Sequence, residues 1–187
     1  MKSKILTLIF LSAILFLNTN AVRAQDANLK TQSAHNNFIQ FIGIWEADAV
    51  LTVDGKQHNV RYHINFRKAA NGKGLYADEW FNDTALGNMK GANLIGYDPY
   101  DSKVHWYSVD NMGTTHEHIG DWTDSDTFYM EHNGMRDGKK YAEKIWMKFN
   151  GKDEMEFKLH STLDGKESYK ALATFHRKSL QAPEKKQ

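Results

Sequence analysis

Apolar and polar residues alternate through most of the chain that follows residue 44. From Trp45 to Val53, every odd-numbered residue is apolar and most of the residues between them are polar. The segments around Tyr62 and Phe157 repeat this pattern. A period of two is typical of a β-strand with one face against a core and the other against water. The register is well specified, because a shift by one residue would bury the charged face.

Short turn sequences separate the alternating segments at fairly even intervals. Asn-Gly and Asp-Gly pairs tolerate positive φ angles and suit the tight turns between antiparallel strands. The predicted turns contain Asp54-Gly55, Asn71-Gly72, Asp98-Pro99, Asn111-Met112-Gly113, Asn133-Gly134, Asn150-Gly151 and Asp164-Gly165. Strands joined in this way form an up-and-down meander, which closes into a barrel when it is long enough.

The pattern predicts an all-β fold, an up-and-down antiparallel barrel of about ten strands. The predicted strands are Trp45–Val53, Gln57–Arg67, Gly74–Phe81, Lys90–Tyr97, Lys103–Asp110, Thr114–Gly120, Asp126–His132, Lys140–Asn150, Asp153–Ser161 and Ser168–Arg177. A short helix precedes them, because Ser33 is a good N-cap and Phe38 and Phe41 follow at helical spacing. We expect this helix to end at Gly43.

The first 24 residues have the pattern of a signal peptide. Lys2 and Lys4 precede a mostly apolar segment, 5–17, and Val22-Arg23-Ala24 supplies a cleavage site after Ala24. The apolar segment is shorter than the roughly 20 residues of a membrane span, although an uncleaved anchor is the alternative. The predicted organisation is a signal peptide (1–24), a flexible lead-in (25–32), a barrel domain (33–178) and a flexible tail (179–187).

The composition narrows the classes of function. The chain contains no cysteine, which excludes disulfides, thiol nucleophiles and zinc–thiolate sites. Its formal net charge is +1, and the signal peptide carries three of its basic residues, Lys2, Lys4 and Arg23. A nearly neutral chain lacks the basic surface that binds nucleic acid. We expect an exported protein, periplasmic or extracellular, without membrane insertion after cleavage, whose oligomeric state the sequence leaves open.

Gly43-Ile44-Trp45 opens the first predicted strand, and here the chain resembles the lipocalins and other calycins. This resemblance implies that Gly43 and Trp45 close one barrel end and that Arg177 of the last strand covers the Trp45 ring. A closer resemblance is to a family of small exported bacterial lipocalin-like proteins of unknown function. It rests on Gly43-Ile44-Trp45-Glu46, Gly96-Tyr97-Asp98, Val109-Asp110-Asn111-Met112-Gly113-Thr114 and Phe175-His176-Arg177-Lys178. It implies fold and location rather than activity.

The predicted interior is rich in aromatic and thioether side chains, which suit an apolar ligand. Ser108 shares a strand face with Trp106 and would supply a polar contact. A barrel filled by its own side chains is the alternative. The candidate ligand-binding residues are Tyr62, Trp106, Ser108, His116, His118, Met130, Tyr141, Glu143, Met147 and Tyr169.

Two features indicate more specific chemistry. His116 and His118 are two residues apart in a strand, so both imidazoles face one side and would bind a metal ion if His132 or His105 supplied a third ligand. A solvated strand face with two histidines is the alternative. Glu143 shares its face with apolar residues and must be hydrogen-bonded or protonated there. It would orient a ligand or act as a general base, or it is bridged to a neighbouring arginine or tyrosine.

These observations favour non-catalytic binding of a small, largely apolar molecule in the barrel lumen. The alternatives are an isomerase or hydrolase that uses Glu143 or a histidine-bound metal, and an envelope interaction protein with a filled barrel. Haem-binding barrels of the nitrobindin type use a histidine on a late strand, but His176 faces outward in the predicted register. We therefore expect no resident cofactor or metal and no catalytic residue.

Overall fold

A computed structural model of the protein describes residues 28–180. Ten antiparallel strands form one closed barrel, in which strands adjacent in the chain pair with each other and β10 pairs with β1. The strands are β1 (Gly43–Val53), β2 (Lys56–Ala69), β3 (Gly74–Asp83), β4 (Gly87–Asp98), β5 (Lys103–Asp110), β6 (Thr115–Trp122), β7 (Thr127–Arg136), β8 (Lys139–Phe149), β9 (Glu154–Leu163) and β10 (Lys166–Ser179). The predicted fold class is confirmed. The predicted signal peptide, 1–24, lies outside the described residues.

An α-helix, α1, covers residues 28–37, and a 3₁₀ turn follows at Phe38–Gln40. The helix begins before Ser33, so residues 28–32 are helical although the sequence pattern assigns them to a flexible lead-in. That segment has neither glycine nor proline, and burial of Ala34 and Phe38 anchors the helix to the barrel. Among the described residues, no helix has the length and apolar character of a membrane span.

The largest difference from the predicted strands is in β7. Asn133-Gly134 is not a turn but part of this strand, where Gly134 pairs with Tyr141 of β8. The chain turns instead at Asp137 and Gly138, whose φ angles are 52° and 76°. A two-residue hairpin with a type I′ turn needs positive φ at both positions, and Asp-Gly meets this need as well as Asn-Gly does. β10 also continues to Ser179, one residue beyond the predicted domain limit.

Aromatic side chains fill one end of the barrel. Phe41 is fully buried there. Its ring centre lies 5.0–5.9 Å from those of five other rings, which belong to Phe66, Trp106, Trp122, Phe128 and Phe149. The indole Nε1 of buried Trp45 donates a hydrogen bond of 2.6 Å to the Phe41 carbonyl. The segment that links α1 to β1 therefore closes this end.

The first and last strands meet at the closed end. Gly43 has a φ of 128°, and a Cβ atom there would lie 2.4 Å from the Ser179 carbonyl oxygen, so no other residue fits. Trp45 lies two residues after Gly43, and the Arg177 guanidinium carbon is 4.2 Å from the centre of its ring. This is the contact that the resemblance to calycins implies.

The pairing between β6 and β7 is the least extensive in the barrel wall. Its ladder has four residue pairs, from Ile119↔Glu131 to Trp122↔Phe128, whereas the ladder between β7 and β8 has ten. In the described ladders, residues 115–118 therefore pair with β5 but not with β7. We call the space between residues 115–118 and 132–136 the β6–β7 gap.

Candidate functional site

The barrel encloses a cavity of about 330 Å³. Its wall includes Val53, Leu86 and Met112, which belong to the hairpins opposite the closed end, so the cavity opens between these hairpins. Most of the other lining side chains are apolar, among them Phe81, Met89, Met130, Ile145, Phe157 and Leu159. The barrel is therefore not completely filled by its own side chains.

A hydrogen-bonded group of polar residues faces the cavity from strands β2 to β5; we call it the Glu79 cluster. The Tyr62 hydroxyl donates to one carboxylate oxygen of Glu79, and Asn93 Nδ2 donates to the other at 3.1 Å. The Asn93 Oδ1 atom in turn accepts hydrogen bonds from Trp106 Nε1 at 2.8 Å and from the Ser108 hydroxyl at 2.6 Å. Asn93 therefore connects the carboxylate to the indole and the hydroxyl.

The backbone makes room for this cluster. Gly91 lies opposite Glu79 in the ladder, and a Cβ atom at Gly91 would lie 2.7 Å from Glu79 Oε1. Burial raises the pKa of the Glu79 carboxyl, and the hydrogen bonds from Tyr62 and Asn93 offset this only in part. Burial and the negative charge of Glu79 also raise the pKa of the Tyr62 hydroxyl. The cavity thus contains a carboxylate whose charge is incompletely compensated.

A second carboxylate, Glu143 of β8, faces the cavity and is only 7% exposed. Its Oε1 atom lies 2.8 Å from His118 Nε2, and its Oε2 atom accepts a hydrogen bond of 2.5 Å from the Tyr141 hydroxyl. Burial alone would raise the pKa of Glu143, but the bonds from His118 and Tyr141 and the histidine charge lower it below its usual value. Glu143 is therefore ionised at neutral pH.

His116 and His118 share one face of β6, as the alternation predicts, and this face lines the cavity rather than solvent. His118 is 2% exposed, and the two imidazole centres are 4.8 Å apart. His116 Nε2 lies 3.9 Å from Glu143 Oε1. Burial and the neighbouring His118 lower the pKa of His116 to about 4, so its imidazole is neutral at pH 7. Within residues 28–180, the buried Nδ1 atoms of both histidines have no hydrogen-bond partner.

Most of the predicted ligand-binding residues line the cavity, although their contact with a ligand stays a prediction. Two of them do not: Met147 packs in the core, and Tyr141 lies behind Glu143 with the Arg136 guanidinium carbon 3.9 Å from its ring centre. Those that line the cavity are Tyr62, Trp106, Ser108, His116, His118, Met130, Glu143 and Tyr169.

The other histidines named in the sequence analysis have different environments. The His132 ring centre lies 5.3 Å from that of His116, and its Nδ1 atom is 2.7 Å from the Glu117 carbonyl oxygen. His105 is on the outer face, between Asp101 and Glu117, so the prediction of His105 as a third metal ligand is wrong. His176 is also outside, with a side chain 59% exposed.

Glu79 and Asn93 are site residues that the sequence pattern did not single out. Glu79 alternates with the buried residues Ala77 and Phe81, and Asn93 is two residues before buried Ile95. A polar residue at an apolar position of a strand was the signal that identified Glu143. The same signal was therefore available for Glu79 and Asn93.

The closed up-and-down barrel with a short N-terminal helix defines a calycin-like, lipocalin-like fold. A similar solved structure is that of the S-type phycobiliprotein lyase CPES from Guillardia theta, with a TM-score of 0.52 and 14% sequence identity. The match covers 82% of this chain and 98% of that chain, and at this identity it shows the fold alone. No protein-family model and no curated protein matches the sequence. The resemblance to the exported bacterial family stays a prediction.

Proposed function

We propose that this protein binds a small, largely apolar molecule in the barrel lumen without chemical conversion. The observation that carries the proposal is the cavity of about 330 Å³, which is closed by aromatic rings at one end and lined mainly by apolar side chains. Such pockets bind ligands by removing apolar surface from water, and a few polar groups fix the orientation. The similar lyase structure supports the proposal only through the shared fold.

The polar groups on the wall indicate what the ligand presents to them. Glu79 and Glu143 are hydrogen-bond acceptors, and the raised pKa of the Tyr169 hydroxyl, caused by burial and then by the charge of Glu143, keeps it protonated. A ligand with a hydroxyl or amine donor would compensate the Glu79 carboxylate, because charge-assisted hydrogen bonds are the strong ones. We therefore propose an apolar molecule that carries such a donor at one end.

The proposal includes export. Residues 1–24 have the composition of a signal peptide, and a mature chain that begins at Gln25 would function in the periplasm or outside the cell. The intact mass of the protein from its native host tests this. A mass that includes residues 1–24 would contradict cleavage.

Two measurements test ligand binding. Native mass spectrometry of the protein from its own host should reveal a bound small molecule that is lost on unfolding. In addition, the neutral probe N-phenyl-1-naphthylamine should become fluorescent in the cavity. Leu159→Trp, which adds volume to the cavity wall, should weaken probe binding at least about tenfold, whereas Leu172→Trp on the exposed face of β10 should not. Equal probe affinity in both variants would overturn the proposal.

One observation favours a second candidate function, proton transfer on a bound molecule. The environments of the two cavity carboxyl groups move their pKa values in opposite directions. Burial dominates at Glu79, whereas at Glu143 the hydrogen bonds and the histidine charges together outweigh burial. Such divergent pairs often divide the roles of acid and base. Incubation of the co-purified molecule with the protein in D₂O should then introduce deuterium, and Glu143→Gln should abolish the exchange. Absence of exchange in the unmodified protein would exclude this candidate.

A further inference from the structure

The β6–β7 gap contains an unusual concentration of histidine side chains. His116 and His118 belong to the part of β6 that pairs only with β5 in the described ladders, and His132 belongs to the facing part of β7. The Nδ1–H group of His132 donates to the Glu117 carbonyl oxygen at 2.7 Å, so a side chain bonds to β6 where the backbone ladder has ended. This bond leaves His132 Nε2 without a proton in the neutral ring.

Three donor atoms converge beside this gap. The Nε2 atoms of His118 and His116 lie 2.8 and 3.9 Å from Glu143 Oε1. Donor atoms of all three residues lie within 4.8 Å of one another. Four donors placed tetrahedrally at about 2.1 Å from a metal ion are about 3.4 Å apart, and the two measured distances lie on either side of this value.

We propose that His116, His118 and Glu143 form a binding site for a divalent transition-metal ion such as Zn²⁺. Two imidazoles and one carboxylate are a common ligand set for catalytic zinc and for non-haem iron(II). The metal ion takes the place of the proton between His118 Nε2 and Glu143 Oε1. His118 then binds as the neutral tautomer with its proton on Nδ1, and only a proton in excess of that one is released to solvent. Glu143 Oε2 keeps its hydrogen bond from the Tyr141 hydroxyl. This bond orients the Glu143 carboxylate, as hydrogen-bond partners of metal-binding side chains do.

The location of the site indicates two consequences. Its ligands come from β6 and β8, and Glu143 of β8 pairs with His132 of β7. A bound ion therefore joins β6 to the β7–β8 hairpin on the far side of the β6–β7 gap, where the ladder is shortest. All three ligands also line the cavity, so the fourth coordination position faces the lumen. A donor atom of the small molecule bound in the lumen would occupy that position. This last point alone rests on the proposed function.

Metal titration of the purified protein after treatment with EDTA tests the site. Calorimetry with ZnCl₂ should give one ion per chain, and CoCl₂ should give the visible absorption bands of low-coordinate Co²⁺. His118→Gln and Glu143→Gln should each weaken Zn²⁺ binding at least about 100-fold, since loss of even an outer partner costs about 10–100-fold. His176→Gln, on the exposed face of β10, is the matched control and should bind Zn²⁺ as the unmodified protein does.

Amide hydrogen exchange tests the site by a structural effect in addition to the Zn²⁺ affinity. Zn²⁺ should slow amide hydrogen exchange in residues 115–118 and 132–136, because the ion joins β6 to β8 and β8 pairs with residues 132–136 of β7. If His118→Gln does not fold, as judged by circular dichroism, then Glu143→Gln and His116→Gln decide the result. The proposal is overturned if no Zn²⁺ binds, or if binding is equally tight in the folded variants. Probe binding by the EDTA-treated protein would show that the proposed ligand function survives such a failure.

Discussion

The guanidinium carbon of Arg177 lies 4.2 Å from the centre of the Trp45 ring, and this pair joins the last strand of the barrel to the first. The Arg177 side chain is 5% exposed and donates hydrogen bonds to the carbonyl oxygens of Gln40, Ile42 and Lys152. Burial lowers the pKa of this arginine, but its value remains far above neutral pH. One planar cation on β10 therefore connects the segment before β1 to the β8–β9 hairpin.

Arg177→Lys should destabilise the protein strongly although it keeps the positive charge. Lysine cannot reproduce the planar fork of donors, so the partly buried carbonyl oxygens of Gln40 and Ile42 lose their partners. We expect a loss of about 2–4 kcal/mol in the free energy of unfolding. Urea denaturation measures this. The control is Arg67→Lys, whose side chain is 47% exposed beside Asp78 and which should change stability by less than about 1 kcal/mol. Equal effects of the two substitutions would contradict the role of Arg177.

Phe41→Ala should reduce the free energy of unfolding by about 3–5 kcal/mol, because it leaves a cavity among the five surrounding aromatic rings. Ile39 lies two residues earlier and is 60% exposed, so Ile39→Ala should have an effect within about 0.5 kcal/mol. Thermal and urea unfolding of both variants would test whether the N-terminal segment stabilises the barrel. A small effect at Phe41 would mean that the barrel end closes without this segment.

Asn93→Leu should cost about 1–3 kcal/mol, since it leaves the buried Trp106 indole N–H and the Ser108 hydroxyl without their common acceptor. It should also weaken binding of N-phenyl-1-naphthylamine, because Glu79 loses the donor that orients it. Asn59→Leu, on an exposed position of β2, is the matched control. Unchanged unfolding and probe binding in Asn93→Leu would show that the Glu79 cluster has no such role.

His105 should make stability depend on pH. Hydrogen bonds to Glu117 and Asp101 raise the pKa of His105 above 6.5, so protonation is more favourable in the folded than in the unfolded state. The stabilisation is therefore fully present below pH 6.5 and is lost as the pH rises through the folded-state pKa. The difference in unfolding free energy between the unmodified protein and His105→Gln should be larger at pH 5.5 than at pH 9. An equal difference at both pH values would disprove the linkage.

The fold was predictable because the alternation of apolar and polar residues and the turn-forming pairs both indicated antiparallel hairpins along the chain. Alternation around Tyr62 and Glu143 fixed the inward faces, and Asp54-Gly55 and Asp164-Gly165 adopt the positive φ angles of hairpin turns. The error at Asn133-Gly134 arose because two turn-forming pairs lie four residues apart. Cross-strand pairing between Gly134 and Tyr141 decides between them, and a local sequence signal does not contain that pairing.

The site was predictable only in part, for a related reason. Alternation predicts that Glu143 points inward and that His116 and His118 share one face, but not which face this is or that the three residues approach one another. That approach depends on the barrel bringing β6 and β8 together where the β6–β7 ladder ends. Partners across strands, such as Asn93 with Trp106, likewise follow from the register rather than from the sequence pattern.

The four-pair ladder between β6 and β7 also bears on the size of a guest molecule. If backbone hydrogen bonds joined all neighbouring strands along their full length, the lumen would be open only at its rim. It would then hold only molecules that fit its depth. Where the backbone pairing ends early, side chains alone separate the interior from the surroundings, and they rotate at much lower cost than a sheet separates. We therefore expect the tail of a guest that is longer than the lumen to lie at this flank.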